Sequence, residues 1–232
     1  MARVLVIRHH DEDHAGLVGD AFTDRGFELD VVMMNEKSST PSVQGYDALL
    51  ILGSSSAVYD RDVEEAWFGR ELSLIGQAGE LGVPVLGICF GAQALCLFHG
   101  GSVAPSTQPE IGWYEIDIEP GVDFVPGPWF EFHFDRCTLP NDATLLATTP
   151  RATQAFAVGR NLGVQFHPEI DDTQLRDWLE SAADSAREFG HDIAQLLAET
   201  ARLSPMARPR VDALVDLFLQ RADVAGVESR TI

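Results

Sequence analysis

The chain opens on Val4-Leu5-Val6-Ile7, an unbroken and mostly β-branched apolar run. A run this short, apolar at consecutive positions, predicts a strand buried on both faces. Ala15 to Gly26 then carries apolar residues at helical spacing and ends in glycine, a common helix stop. Leu29 to Met34 predicts a second strand, and Asp47-Ala48-Leu49-Leu50-Ile51-Leu52-Gly53 a third with a continuous apolar core. Val63, Trp67, Leu74 and Ala78 outline a helix over about 62–80. Val83-Pro84-Val85-Leu86-Gly87-Ile88 reads as a fourth strand. This alternation predicts an α/β fold, with a doubly wound, mostly parallel sheet, right-handed crossovers and helices on both faces.

The texture changes near residue 101. Short alternating segments follow at Trp113 to Ile118, Ala143 to Ala147, Gln154 to Val158 and Leu162 to Phe166. Turn residues such as Pro120-Gly121, Gly127-Pro128 and Pro140-Asn141-Asp142 separate them, which predicts an antiparallel extension of the sheet. After Glu169 the pattern is helical. Asp171-Asp172-Thr173-Gln174 resembles a capping box with Asp in the cap position. Val211, Leu214, Val215 and Phe218 fall on one helix face. Ser204-Pro205 through Pro209 is the expected joint in this tail, and the last ten residues are expected to fray.

Composition narrows the picture. The 232 residues suit one large domain, or one with a short extension. Sixteen basic against thirty-six acidic residues give a net charge of −20. That argues against non-specific binding of nucleic acid or of an anionic membrane, both of which need a positive field. No apolar run approaches the roughly 20 residues of a membrane span, and the N-terminus reads as a strand rather than a signal peptide. Cys89, Cys96 and Cys137 lack CxxC spacing and fit neither a disulfide framework nor a zinc site. They point to a reducing, cytoplasmic setting and leave a reactive thiol open.

Two segments carry chemistry. In Leu86-Gly87-Ile88-Cys89-Phe90-Gly91-Ala92-Gln93 a buried strand runs into Cys89 and a helical pattern starts at once. This is G-x-C-x-G, the thiol analogue of the serine nucleophile elbow. A side chain held in such a strained turn needs glycine neighbours. The helix N-terminus favours the thiolate and aims N–H groups at a developing oxyanion. The plain alternative is a structural cysteine at a tight turn. In Gly163-Val164-Gln165-Phe166-His167-Pro168-Glu169, His167 and Glu169 point the same way if the segment is extended, and Pro168 favours that geometry at His167. Alone, H-P-E fits a surface turn. Together with the elbow it supplies a nucleophile, a base and a group that orients the base.

These motifs resemble those of the class I (triad) glutamine amidotransferases, specifically the GMP-synthase-like branch. Ile51-Leu52-Gly53-Ser54-Ser55 stands where that family has its Gly-Gly-Pro oxyanion loop. Ala94-Leu95 to Gly100-Gly101-Ser102-Val103, Glu110-Ile111-Gly112-Trp113 and Phe132-His133-Phe134-Asp135…Leu139-Pro140 match further segments in order, so the likeness spans about residues 3–180. The resemblance implies a flavodoxin-like class I glutamine amidotransferase fold. The amidotransferase domain is expected over 1–184, and beyond the resemblance a C-terminal helical extension over 185–232 packed on it. The resemblance also implies hydrolysis of the γ-amide of glutamine through Cys89, His167 and Glu169 and a γ-glutamyl thioester. Gly53, Ser54 and Phe90 would form the oxyanion hole; Gln93, His133 and Asp135 would bind substrate. No cofactor or metal is expected. Expected partners are glutamine or another γ-glutamyl compound and a separate synthetase subunit that takes the ammonia. The tail could cover the sheet edge, bind a partner or form a homodimer contact.

There are departures from the family. Ser54 in place of glycine makes a positive φ costlier if the loop must rotate a peptide, so slow or partner-dependent hydrolysis is an expectation. The chain has no P-loop or S-G-G-x-D-type phosphate loop and no counterpart of the ATP-pyrophosphatase and dimerisation parts of a complete GMP synthase. Two other functions compete: a γ-glutamyl hydrolase with the same triad, and a silent regulatory member. A related cysteine protease or deglycase fits less well, since those lack the terminal H-P-E.

Weaker candidates are the run Arg8-His9-His10-Asp11-Glu12-Asp13-His14, read as a loop at the site rim rather than a metal site. His133 and Asp135 could equally be a solvated loop pair. Cys96 is read as core, His99 as a helix C-terminal residue, and Trp113 as the tryptophan nearest the pocket.

Overall fold

The computed structural model describes residues 1–35 and 41–224. Five strand ends meet side by side: β2 (Phe27–Met33), β1 (Ala2–Arg8), β3 (Ala48–Ile51), β4 (Val85–Ile88) and β10 (Asn161–Val164) pair in that order, all parallel. The order reverses at β1, the switch-point arrangement of doubly wound sheets. Beyond β10 the same sheet continues antiparallel through β9 (Thr153–Val158), β8 (Thr144–Thr148) and the two-residue β6 (Asp117–Ile118). The expected parallel core and antiparallel extension are both present.

Period-two alternation splits the strands between two cores. On one face Val4, Val6, Leu50 and Leu86 pack under α1 (Gly16–Asp24) and α6 (Ile193–Arg221). On the other, Leu5, Ile7, Leu49 and Ile51 pack under α3 (Gly69–Leu81) and α4 (Phe90–Phe98). Helix α2 (Arg61–Val63) runs through a π-helical turn (Glu64–Phe68) into α3. Val211, Leu214, Val215 and Phe218 all face the core, as their spacing predicts. Among the described residues no helix is long and apolar enough to cross a membrane.

A second sheet was not foreseen. β5 (Ser102–Tyr114) and β7 (Trp129–Thr138) form a separate antiparallel ribbon, with a register irregularity between Pro105 and Glu110. Trp113 to Ile118 is therefore not one strand: it holds the end of β5 and all of β6. Pro105 and Pro109 hid β5, since proline in a strand argues for an edge or a bulge. The ribbon, α5 (Asp172–Glu188) and the start of α6 share a third core of Ile111, Phe130, Leu175, Leu179 and Leu196.

Helix α5 is capped as expected: the Asp171 side chain accepts from Gln174 N at 2.8 Å. The joint expected at 204–209 is instead the middle of α6, with Pro205 and Pro209 inside a continuous helix. Each proline costs roughly 3 kcal/mol in a helix interior. Burial on both sides, from Leu196, Thr200 and Ser204 through Ala207 to Phe218, holds the helix together. The fraying expected over the last ten residues falls almost wholly on 225–232, outside the described residues.

Candidate active site

The carboxyl ends of the parallel strands deliver the site. β4 ends at Ile88, Cys89 turns the chain, and α4 begins at Phe90. Cys89 sits at φ 51°, ψ −104°, a strained conformation for a residue with a side chain that costs about 1–3 kcal/mol. Its neighbours allow it. A Cβ on Gly87 would lie 2.5 Å from the Gly91 carbonyl carbon, and one on Gly91 would run into the Ile51 carbonyl. Cys89 N donates to Val164 O at 2.8 Å, which ties the elbow to the end of β10. As the first residue of α4, Phe90 has an N–H that the helix itself cannot satisfy.

β10 carries the chain to the imidazole. His167 N donates to Phe130 O at 2.7 Å, so β7 fixes its backbone. His167 Nδ1 donates to Glu169 Oε1 at 2.7 Å, while Nε2, on the ring's far edge, is buried with no hydrogen-bond partner among the described residues and the Cys89 sulfur is near enough to act on the ring's pKa. Both side chains are buried. Burial pulls the imidazole's pKa down, but the charge of Glu169 and the Cys89 sulfur outweigh it, so His167 holds its proton well above the ordinary range. Glu169 is fixed by its own backbone: Leu17 N donates to its carbonyl at 3.1 Å, and a Cβ on Gly16 would collide with that oxygen. The N-terminus of α1 thus seats the H-P-E segment.

Gly53 lies just beyond β3, between these groups. A Cβ there would come within 3.0 Å of His167 Cε1 and 3.7 Å of Cys89 Cβ. On its other side, Gly53 O accepts from His9 Nδ1 at 2.7 Å, and His9 Nε2 meets Glu71 Oε2 at 2.7 Å. Ser54 is not at positive φ; among the described non-glycine residues only Cys89 and Asp223 are.

These groups open onto one cavity of about 660 Å³, which Gln93, His133, Asp135, Ser54, Tyr59 and Trp178 also line. Gln93 Nε2 donates to Gln165 Oε1 at 3.2 Å. His133 and Asp135 are not a solvated pair. They lie in β7 and are buried, because Trp129, Glu131, His133 and Asp135 share its inward face. His133 Nε2 is 3.3 Å from both Glu110 and Glu131, and Nδ1 donates to Asp135 O at 2.8 Å. Burial lowers its pKa, but the close approach of the two carboxylates raises it by more, to about 10. Burial raises Glu131 to about 7. Asp135 Oδ1 accepts from Tyr59 OH at 2.6 Å.

The run at 8–14 divides. His9 points inward to Gly53, while His10 lines the cavity, with Nε2 3.0 Å from Ser55 Oγ. Among the described residues no cluster of His, Cys, Asp or Glu is arranged to hold a metal ion. Cys96 is core and His99 ends α4, as read from the sequence. The tryptophan at the cavity is Trp178, not Trp113. Trp178 packs edge-on against His167 at 4.8 Å and 69°, whereas Trp113 Nε1 donates to Thr200. Sequence reading missed Glu71, Glu131 and Trp178. Glu71 had a signal: it falls on the apolar stripe between Trp67 and Leu74.

A cysteine on a strained strand–helix elbow, beside a carboxylate-paired histidine at the carboxyl edge of a doubly wound sheet, defines an α/β protein with a cysteine-centred site. The family model described as glutamine amidotransferase class-I matches residues 16–182. The chain belongs to that family. It is 30% identical over 182 residues to a GMP synthase [glutamine-hydrolyzing] of Bordetella avium, covering 71% of this chain and 30% of the relative. With the Helicobacter pylori GMP synthase it shares 27% over 175 residues, covering 72% and 33%. The match thus spans about a third of these curated relatives. Among solved structures, a glutamine amidotransferase from Thermotoga maritima superposes with a TM-score of 0.84 at 27% identity, covering 94% of this chain and 98% of that one. One from Methylobacillus flagellatus gives 0.83 at 19% identity, covering 100% and 99%, and supports the fold alone.

Proposed function

We propose that this chain hydrolyses the γ-amide of glutamine, with Cys89 as nucleophile, His167 as base and then acid, and Glu169 as the group that orients His167. The observation that carries this reading is the elbow cysteine facing an imidazole whose far nitrogen is bonded to Glu169 at 2.7 Å. His167, whose raised pKa favours the imidazolium, holds the proton of the thiol, and the sulfur attacks the γ-carbon as a thiolate. The oxyanion rests on the N–H groups of Phe90 and Ser54. His167 then protonates the leaving nitrogen, ammonia departs and a γ-glutamyl thioester remains. Water attacks it while His167 accepts the water proton. Glutamate leaves, and the thiol is restored with the proton that His167 held. Gln93, His133 and Asp135 shape the pocket for the glutamyl part. The ammonia goes to a separate synthetase, a role suggested by the GMP synthases that match this chain over about a third of their length.

A second reading has one observation behind it. A cavity of about 660 Å³ is in the range that takes drug-sized ligands, more than a departing ammonia needs. That favours γ-glutamyl compounds with a larger leaving amine. The test is release of glutamate from glutamine and from γ-glutamyl dipeptides by the purified chain, beside Cys89→Ala. Turnover of glutamine that Cys89→Ala abolishes supports the first reading. Turnover of the dipeptides alone supports the second. No turnover, with Cys89 also unlabelled by a glutamine-like electrophile, refutes both and leaves a silent regulatory member.

A further inference from the structure

The His9–Glu71 pair has no part in the steps just written, yet both side chains are wholly buried directly behind the site. His9 packs between Trp67 and Phe90, with ring centroids at 4.7 and 5.0 Å. Its Nδ1–H bonds the Gly53 carbonyl and its Nε2 bonds Glu71, each at 2.7 Å. Burying a histidine and a carboxylate is costly unless each is bonded. Here the bonds converge on one peptide, the one whose N–H belongs to Ser54. In a trans peptide the C=O and N–H point in opposite directions. With the carbonyl held toward His9, the Ser54 N–H is turned away from it, onto the side where Gly53, Ser54 and Cys89 line the cavity.

We infer that His9 and Glu71 are positioning residues that hold the Gly53–Ser54 peptide in the orientation of a finished oxyanion hole, so that no partner is needed to build it. This rests on the reading of Cys89 as an acyl-transfer nucleophile. His9 touches neither the substrate nor the reacting atoms; it acts through the backbone. Helix α3 supplies Glu71 from the same face of the sheet on which Trp67 and Phe90 enclose His9.

The test compares wild type with His9→Gln, Glu71→Leu and Glu71→Gln, using glutamine hydrolysis, alkylation of Cys89 by iodoacetamide and hydrogen exchange of the 53–57 segment. Alkylation needs the thiol but no oxyanion hole. Loss of one well-placed oxyanion donor costs about 10²–10³ in kcat, and a mobile donor should cost His9→Gln and Glu71→Leu about 10–10²-fold of this. KM should change little, because the hole engages only in the transition state. The alkylation rate should stay within about twofold, and exchange at 53–57 should accelerate. Glu71→Gln keeps a partner for Nε2 and should restore most of the kcat. A merely structural pair would lower alkylation and turnover together. Equal kcat in wild type and His9→Gln, or loss of alkylation in step with turnover, overturns the inference. If wild type itself hydrolyses nothing, the functional reading fails and exchange alone decides: unchanged protection at 53–57 in His9→Gln overturns the anchor. If His9→Gln does not fold, the two Glu71 variants carry the same comparison.

Discussion

Replacing Glu169 by glutamine keeps the shape of the H-P-E segment and removes one charge. The backbone carbonyl that bonds Leu17 is untouched, so the segment stays seated on α1. What changes is the partner of the imidazole. Oε1 lies 2.7 Å from His167 Nδ1 and both side chains are buried, which places the charge centres of carboxylate and imidazolium about 4–5 Å apart. At an effective dielectric of about 20, opposite unit charges at that distance attract by about 3–4 kcal/mol. On the proposed roles the imidazolium holds the proton of the thiol and hands it to the leaving nitrogen, and the carboxylate is what keeps it charged, so at 1.36 kcal/mol per factor of ten its loss costs about 10²–10³ in kcat/KM. Glutamate release, normalised to titratable Cys89, measures it. The same variant lowers the pKa of His167, because it removes a carboxylate that raises it; NMR titration of the ring protons should show the midpoint moving down. A fall in kcat/KM of less than about fivefold, with His167 titrating as before, refutes the charge-pairing argument.

Three more outcomes follow from geometry already described. Gly91→Ala drives a methyl group into the Ile51 carbonyl; since both are backbone, we expect at least about 3 kcal/mol lost or no folded protein, read from the denaturant midpoint. His133 holds its proton to about pH 10 when folded against an ordinary value of 6.5. Its stabilisation is complete below about pH 6.5 and is lost as pH climbs toward 10, at most about 5 kcal/mol. Urea titrations at rising pH should show that decline in wild type, and His133→Gln should flatten it. Trp178→Ala removes the wall that packs on His167 at 4.8 Å; kcat on glutamine should fall about 3–30-fold as the ring gains freedom, while larger γ-glutamyl substrates lose less.

The parallel sheet was legible because β1, β3 and β4 are buried on both faces and so read as unbroken apolar runs. The elbow was legible because glycines at 87 and 91 flank a cysteine set between strand and helix, the spacing a strained nucleophile turn requires. What escaped was charge in the interior. Trp129, Glu131, His133 and Asp135 form the inward face of β7, and Phe130, Phe132 and Phe134 the other, so alternation points the wrong way. Their burial is made tolerable by Glu110, Thr149, Gln154 and Tyr59, from elements far apart in sequence. No local pattern announces such partners. Glu71 failed to register for the opposite reason: a single acid on an apolar stripe looks like noise until His9 is found opposite it. Pro205 and Pro209 misled by obeying local rules that tertiary packing overrides.

The tie between the Cys89 amide and the Val164 carbonyl has a consequence for the order of events during synthesis. The elbow is made early in the chain, but its backbone bond, its imidazole and its orienting carboxylate all lie beyond residue 163. While residues 90–163 are still emerging from the ribosome, Cys89 has no histidine to take its proton and no strand to brace its strained turn. On the proposed roles the nascent chain carries an unarmed thiol, and arming it coincides with insertion of the last parallel strand. Reactivity at Cys89 is in this sense a clock for closure of the sheet.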